Sequence, residues 1–566
     1  MIYSNSLIYS SFMYTQKAYF GQIRFSGKER KIRVVNMKGK EVMSGILGTS
    51  LTRRDKAWPC LTENMRVNST CLEWMNKARL YFRKLPLPQT SASMLTPSTI
   101  QCYEVYWESL HPDFQLKDCF SLTQNRGFHW YGGGELVANQ WPLNKTRIPF
   151  TPFRTGNKVN LTVTVGSSSE NNSDSTSETG NNNTAVPGVA AAVQSVQFEW
   201  GRVLSRYFIS APGASIKINA ETPLYVSMNE DGNGMFCVGA KKEGFPFPPE
   251  RPNFLNYSIC TGDNIRDVAT HLADKDIWNG LKHEDVQLTY AMTQAPIWKI
   301  LPQVLNGTEN DEMSLLNHTN RIADLQFSEG YILIDESWQR FTGDLKMDPE
   351  RFPTMGETFN ITRRRGFKVA ITVSPFFRTE SDNYNEGLER GVWAWQPGMQ
   401  VPALTKYKGW NSVALLDSSR KEAQDWMEQK IRKISSQYGI DAVYLDLGTA
   451  EDFPRFAQFS SDLKSLDNLG KYFINAVRRV NGLTTIGVST AVHLPKLPTF
   501  IGLSPTESSW QGLQSLIPNV LSVSASGYPY IIPGSIGGDY TSGPDGTGRR
   551  DVVEKPERNL IYAGWS

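Results

Sequence analysis

An N-terminal antiparallel β-sandwich followed by a (β/α)8-type barrel is the fold class the sequence predicts, and three observations carry it. Between about residues 56 and 285, short apolar runs alternate at period two and are separated by turn residues. After about residue 286 the rhythm becomes strand, loop, helix, repeated down the chain. The chain is 566 residues long, and single cores stop growing near about 250–300 residues, so more than one domain is expected. Period two marks strands with one face on a core. Repeated strand–helix units make a parallel sheet, and seven of them favour a barrel over an open sheet.

Residues 1–55 are weakly patterned and are expected to form a weakly ordered arm. Residues 56–285 form the predicted sandwich, with strand-like runs at 102–107, 160–165 and 215–219. The segment 166–188 is dominated by Ser, Asn, Thr and Gly. Such a composition cannot bury a core and is expected to be a disordered insert. Residues 286–566 form the predicted barrel, with strands at 295–299, 331–335, 368–374, 442–447, 484–489, 500–503 and 528–532. One helix is sharply marked: Ser418 and Ser419 as N-cap candidates, then Ala423, Trp426, Met427, Lys430, Ile431, Ile434 and Tyr438 at helical spacing. Gly439 closes it as the residue beyond the last turn. Seven strands is one short of eight, so the barrel reads as truncated before its eighth strand.

Composition excludes several classes of function. The formal charge is +3 from 59 basic and 56 acidic residues, with no polybasic block, which argues against nucleic acid as a partner. No run of apolar residues is long enough to span a bilayer, so no membrane segment is expected, although an N-terminal anchor absent from this sequence is compatible with it. All six cysteines (Cys60, Cys71, Cys102, Cys119, Cys237 and Cys260) precede the barrel region. Their spacing and that of the histidines match no metal motif, so neither a metal nor another cofactor is expected. An even count in one region, together with nine N-x-S/T sequons, points to disulfides and the secretory pathway. Nearest-neighbour pairing, Cys60–Cys71, Cys102–Cys119 and Cys237–Cys260, is one of fifteen possible connectivities.

Chemistry is concentrated at the strand ends of the barrel. The run Gly439-Ile440-Asp441-Ala442-Val443-Tyr444-Leu445-Asp446-Leu447-Gly448 is apolar and strand-like, and it ends on a carboxylate and a turn-forming glycine. Active sites of (β/α) barrels sit at the C-terminal ends of the strands, which makes Asp446 the leading catalytic candidate. A purely structural role as a cap for the next element stays open. Asp335, Glu336 and Trp338 follow the strand at 331–335, and Trp410 and Asp417 lie downstream. Of these, Asp335, Trp338, Trp410 and Asp417 are the candidate substrate-binding residues. Carboxylates and indoles at a barrel mouth without metal ligands favour glycoside chemistry, in which one carboxylate attacks the anomeric carbon and another protonates the leaving oxygen.

Several motifs resemble those of glycoside hydrolase family 31 in sequence order. In the β-region they are Leu116-Lys117-Asp118-Cys119, His129-Trp130-Tyr131-Gly132-Gly133-Gly134-Glu135, Gln140-Trp141-Pro142 and Thr222-Pro223-Leu224-Tyr225-Val226-Ser227. In the barrel they include Ile334-Asp335 with Trp338-Gln339, Asp348-Pro349 with Arg351-Phe352-Pro353, Asp446 with Gly448, and Gly527-Tyr528-Pro529-Tyr530. The resemblance covers roughly residues 58–566. It implies a retaining α-glycosidase acting on an α-galactoside or α-glucoside within an oligosaccharide or glycoconjugate, with Asp446 as the nucleophile. The sequence departs from the family pattern at several positions. Thr449 stands where Glu is usual, and Thr485 where an Arg is expected, with His493 the nearest alternative. Asp539 follows the late glycines instead of preceding them. Pro505 occupies the place of the family's second catalytic Asp; the nearest acid is Glu507, either a replacement acid/base or an acid serving the following helix. These losses leave a catalytically inactive sugar-binding or scaffold protein as the alternative reading.

Overall fold

The computed structural model describes residues 17–61, 66, 69–86, 100–122, 128–136, 140–156, 200–243, 245, 253–273, 283–300, 311–459, 463, 465–492, 499–506 and 509–538. Period-two alternation produces the expected sandwich. In the strand Gln101–Ser109, Tyr103, Val105 and Trp107 are buried, while Glu104, Tyr106 and Glu108 are partly exposed. Among the described residues two eight-stranded sheets result, and the pairings within them are antiparallel. The insert at 166–188 and the run at 160–165 lie outside the described residues.

The expected arm at 1–55 is corrected over its described residues, 17–55. Strands Lys17–Phe20, Ile23–Ser26, Lys31–Val35 and Glu41–Ile46 form a meander that continues the first sheet. Ile23, Phe25, Ile32, Val34, Val42 and Met43 enter the sandwich core. Burying these six side chains favours folding by about 1.5–3 kcal/mol each before entropy is counted, enough to order a short meander.

Asp118 holds this core from within. It is wholly buried, and it accepts from Gly48 N–H (2.6 Å), Trp107 Nε1–H (2.8 Å) and Tyr257 O–H (2.8 Å). Burial nevertheless pushes its carboxyl up to about 6. Asp118→Ala leaves three buried donors unsatisfied and is expected to cost about 3 kcal/mol or more, measured by chemical denaturation. A loss below about 1 kcal/mol would show that the site refills with water.

The disulfides are Cys60–Cys71, Cys102–Cys260 and Cys119–Cys237. Only the first nearest-neighbour pair is therefore correct. The other two join residues directly opposite each other on adjacent strands, Cys102 with Cys260 and Cys119 with Cys237. Strand register, not sequence distance, set the partners.

In the barrel all seven predicted strands are present: β1 (Ile297–Ile300), β2 (Tyr331–Ile334), β3 (Lys368–Val373), β4 (Ala442–Leu445), β5 (Thr484–Val488), β6 (Ile501–Gly502) and β7 (Ile531–Ile532). They form one parallel sheet in chain order. The helix Lys421–Tyr438 buries Ala423, Trp426, Met427, Ile431 and Ile434, and Gly439 ends it at φ 63°. Its N-cap is Arg420, not Ser418 or Ser419. The Asp417 carboxylate accepts from the Ser419 N–H and hydroxyl, which folds these residues into a turn ahead of the helix.

Two features bear on the site. An unpredicted three-stranded insertion, Phe376–Arg378, Leu404–Tyr407 and Trp410–Leu415, follows β3. The sandwich strand Trp200–Ser210 also meets the barrel directly. Leu204 N–H donates to Ala491 O (2.8 Å), Ser205 Oγ to Ser526 O (3.0 Å) and Tyr528 O–H to Leu204 O (2.6 Å).

Candidate active site

Asp446 is the residue after β4, and its N–H donates to Val373 O (2.9 Å), so the sheet ladder fixes its backbone. Gly448 then turns the chain at φ 67°, and a Cβ there would lie 2.7 Å from the Phe376 ring. Only glycine meets both conditions. Gly448 N–H (3.2 Å) and the Ser489 hydroxyl (2.8 Å) both donate to Asp446 Oδ1. Asp452 closes the following loop by accepting from Thr449 N–H (2.7 Å) and Oγ1 (3.0 Å).

The other oxygen faces the insertion. Lys408 Nζ lies 2.7 Å from Asp446 Oδ2 and 3.2 Å from Glu336 Oε2. Tyr407 donates its hydroxyl to Glu336 Oε1 (2.9 Å) and stacks on Phe376 with centroids 4.0 Å apart. Tyr407 pairs with Trp410 across a two-residue turn in which Lys408 has φ 46° and Gly409 φ 87°. A lysine in the left-handed region is uncommon, and both positive angles suit a tight hairpin.

Burial alone would raise the Asp446 carboxyl. The Lys408 ammonium, aided by Arg202 and by the Ser489 hydroxyl, overrides it and holds Asp446 well below the usual carboxylate range. Glu336 moves the other way. Burial raises it, and the charges of Asp446 and Asp335 add to the rise, which Lys408 offsets only in part. Burial would lower Lys408, but Glu336, Asp446 and Asp335 hold its proton more tightly than usual. Opposed shifts in neighbouring carboxylates are a pattern seen in active sites and in structural ion-pair networks alike.

The predicted residues divide. Asp335 joins the cluster: its Oδ1 accepts from Glu336 N–H (2.9 Å), and its Oδ2 lies 3.5 Å from Lys299 Nζ. Trp338 is corrected. It is fully buried in the barrel core and donates to Thr372 O (2.8 Å), so neither ring face is open to a ligand. Trp410 is half exposed, but the Arg378 guanidinium lies 3.7 Å from its ring centroid and covers one face. Asp417 is corrected as well, since it is buried in the turn that opens the helix Lys421–Tyr438. Pro505 is exposed, while the Thr485 hydroxyl is buried without a partner among the described residues. Glu507, His493 and Asp539 lie outside the described residues.

Lys408, Ser489 and Arg202 were missed, and Glu336 was placed at the mouth without a role. The signal available for Lys408 was the Lys-Gly pair between two strand-like runs. Among the described residues, the cluster of metal-ligand types is Cys102, Cys260 and His271, whose two sulfurs are bonded to each other. A cavity of about 1540 Å³ lies between sandwich and barrel, lined by Gly448, Glu451, Arg206 and Lys471, behind the Asp446 loop.

The parallel sheet of alternating strands and helices agrees in fold with the family comparison. Residues 301–491 match the model described as glycosyl hydrolases family 31 TIM-barrel domain. Among individual relatives, the chain is 26% identical over 474 residues to the myogenesis-regulating glycosidase of Mus musculus, covering 82% of this chain and 60% of that protein. It is also 26% identical over 489 residues to the SITS-binding protein of Tetronarce californica, covering 84% and 61%. The chain thus spans about three fifths of the length of these curated relatives. Among solved structures, a family 31 sulfoquinovosidase from E. rectale with an aza-sugar inhibitor aligns over 93% of this chain and 75% of its own (TM-score 0.63, 14% identity). A Flavobacterium johnsoniae family 31 dextranase with isomaltotriose aligns over 90% and 60% (TM-score 0.56, 11% identity). At these identities the structural likeness establishes the fold.

Proposed function

We propose that this protein is a retaining α-glycosidase of the secretory pathway that cleaves an α-galactoside or α-glucoside of an oligosaccharide or glycoconjugate. The observation that carries this reading is Asp446, a buried aspartate at the C-terminal end of β4, kept ionised and pinned at both oxygens. In the proposed reaction an Asp446 oxygen bonds to the anomeric carbon as the bond to the leaving oxygen breaks. Glu507 supplies the proton that the leaving oxygen takes. Water then attacks the glycosyl-aspartate, returns a proton to Glu507 and frees Asp446. Three disulfides support the secretory assignment. Asp335 is proposed to contact the sugar beside Asp446.

The alternative is a catalytically silent sugar-binding protein. It is favoured by Pro505, which has no proton to give, and by the Lys408 ammonium seated on Asp446. A panel of aryl α-glycosides separates the readings. Release of the aryl group with retained anomeric configuration, followed by NMR, supports the enzyme. Saturable sugar binding without turnover supports the silent protein.

The role of Glu507 has its own test. Glu507→Gln is expected to cripple turnover of glycosides with poor leaving groups and to spare the glycosylation step for aryl glycosides with good ones, because these need little protonation. Azide should then accelerate the second step. Equal losses on both substrate types would assign Glu507 a structural role.

A further inference from the structure

The insertion that follows β3 brings a cation into the site from outside the barrel. We propose that Lys408 is a positioning residue for Asp446, a cation that pins the carboxylate and moves onto Glu336 when Asp446 becomes an ester. This deepens the glycosidase reading and rests on it for the ester step only.

Geometry carries the proposal. The ammonium touches Asp446 Oδ2 at 2.7 Å and Glu336 Oε2 at 3.2 Å, so both acceptors are within its reach at once. Its backbone is held at the hairpin tip by the Tyr407–Trp410 pairing and by Tyr407, which is stacked on Phe376 and bonded to Glu336. The Lys408 side chain is 42% exposed, against 8% for Glu336 and 13% for Asp446. A lysine with that much solvent access can shift by rotating its own stem while the two carboxylates stay fixed. Ser489 and Gly448 hold Oδ1 on the other side, so the plane of the carboxylate is set from both edges.

When Asp446 Oδ bonds to the anomeric carbon, its negative charge disappears and Lys408 loses its closer partner. No proton needs to move, because Glu336 remains as an acceptor for the same ammonium. On hydrolysis the Asp446 charge returns, and with it the shorter contact. The groups facing Asp446 are Lys408 and Tyr407 from the insertion, Glu336 and Asp335 after β2, Arg202 from the sandwich, Asp452 from its own loop and Tyr444 from β4. Lys408 Nζ touches its Oδ2 directly.

The first test needs no activity and no mutation. Brief acetylation of the intact protein, read by peptide mass spectrometry, should modify Lys408 at least about tenfold more slowly than exposed Lys421, since a cation held by carboxylates seldom presents the free amine. Equal rates would overturn the proposal. The second test compares wild type with Lys408→Met and Lys408→Arg by carbodiimide labelling between pH 4 and 7. That reagent takes the protonated carboxyl. Asp446 is expected to label about tenfold faster in Lys408→Met at pH 5, and Lys408→Arg should restore protection. Labelling that is equal in wild type and Lys408→Met refutes the role, and so does faster labelling that Lys408→Arg fails to reverse. Both readouts hold even if no glycoside is turned over, so failure of the glycosidase reading is seen separately.

Discussion

Asp446→Asn is expected to lower kcat by about 10⁴-fold or more on any glycoside the protein turns over, because an amide cannot form the glycosyl ester. The substitution keeps the shape of the side chain. Ser489 and Gly448 can still donate to its Oδ1, so the loop after β4 should stay in place. What changes is the other edge, where an NH₂ group would face the Lys408 ammonium. A thermal melt therefore accompanies the kinetics: near-native stability with lost turnover assigns the loss to chemistry. A residual rate within tenfold of wild type would move the nucleophile away from Asp446.

The second large effect concerns the disulfides. Replacing Cys102 and Cys260 together by Ser opens a link between residues 158 apart. With Cys119–Cys237 intact, the loop this link closes shortens to about 41 residues, so on the chain-entropy model its loss costs about 4 kcal/mol, against about 3 for Cys60–Cys71, whose separation is 11. The ordering should appear in denaturant midpoints of the two double variants, with Cys102/Cys260 the weaker protein. Non-reducing peptide mapping should recover Cys60–Cys71, Cys102–Cys260 and Cys119–Cys237. Recovery of six free thiols would remove both this prediction and the support for a secretory location.

The parts of this fold that were legible are those written in local pattern. The seven barrel strands could be read because each is a short apolar run bounded by turn residues, as in Tyr-Ile-Leu-Ile before Asp335. Gly439 marked a helix end because a left-handed residue there suits glycine. The meander over 17–46 was equally legible and was misread. Ile23-Arg24-Phe25-Ser26 and Lys31-Ile32-Arg33-Val34 alternate at period two, and Phe25 and Val34 are buried in the sandwich core.

Other features depended on pairings that no local window contains. Cys102 meets Cys260 because strand Gln101–Ser109 pairs in one register with Phe254–Thr261. Trp338 looked like a sugar platform, yet its position one turn beyond β2 directs the indole into the barrel core. Asp446 could be placed at the end of its strand because it directly follows the apolar run Ala442–Leu445. Lys408 was not, because its relation to Asp446 arises only when the insertion folds back over the mouth. Asp417 shows the reverse error, an acid read as functional that instead organises a turn.

The strand Trp200–Ser210 belongs to both halves of the molecule at once. Trp200, Leu204 and Phe208 pack in the sandwich core, Val203 packs in the barrel core, and the Arg202 between them adds its charge to the field at Asp446. Sandwich and barrel therefore share a wall, and the boundary that sequence rhythm draws near residue 286 is not a seam along which they separate. A barrel expressed from that boundary would lack the carbonyl of Leu204 that holds Tyr528, the backbone partners of Ala491 and one of the cations around its own carboxylate. Melting of the two halves should accordingly register as one concerted transition, with the sandwich serving as the barrel's foundation and not as an appended module.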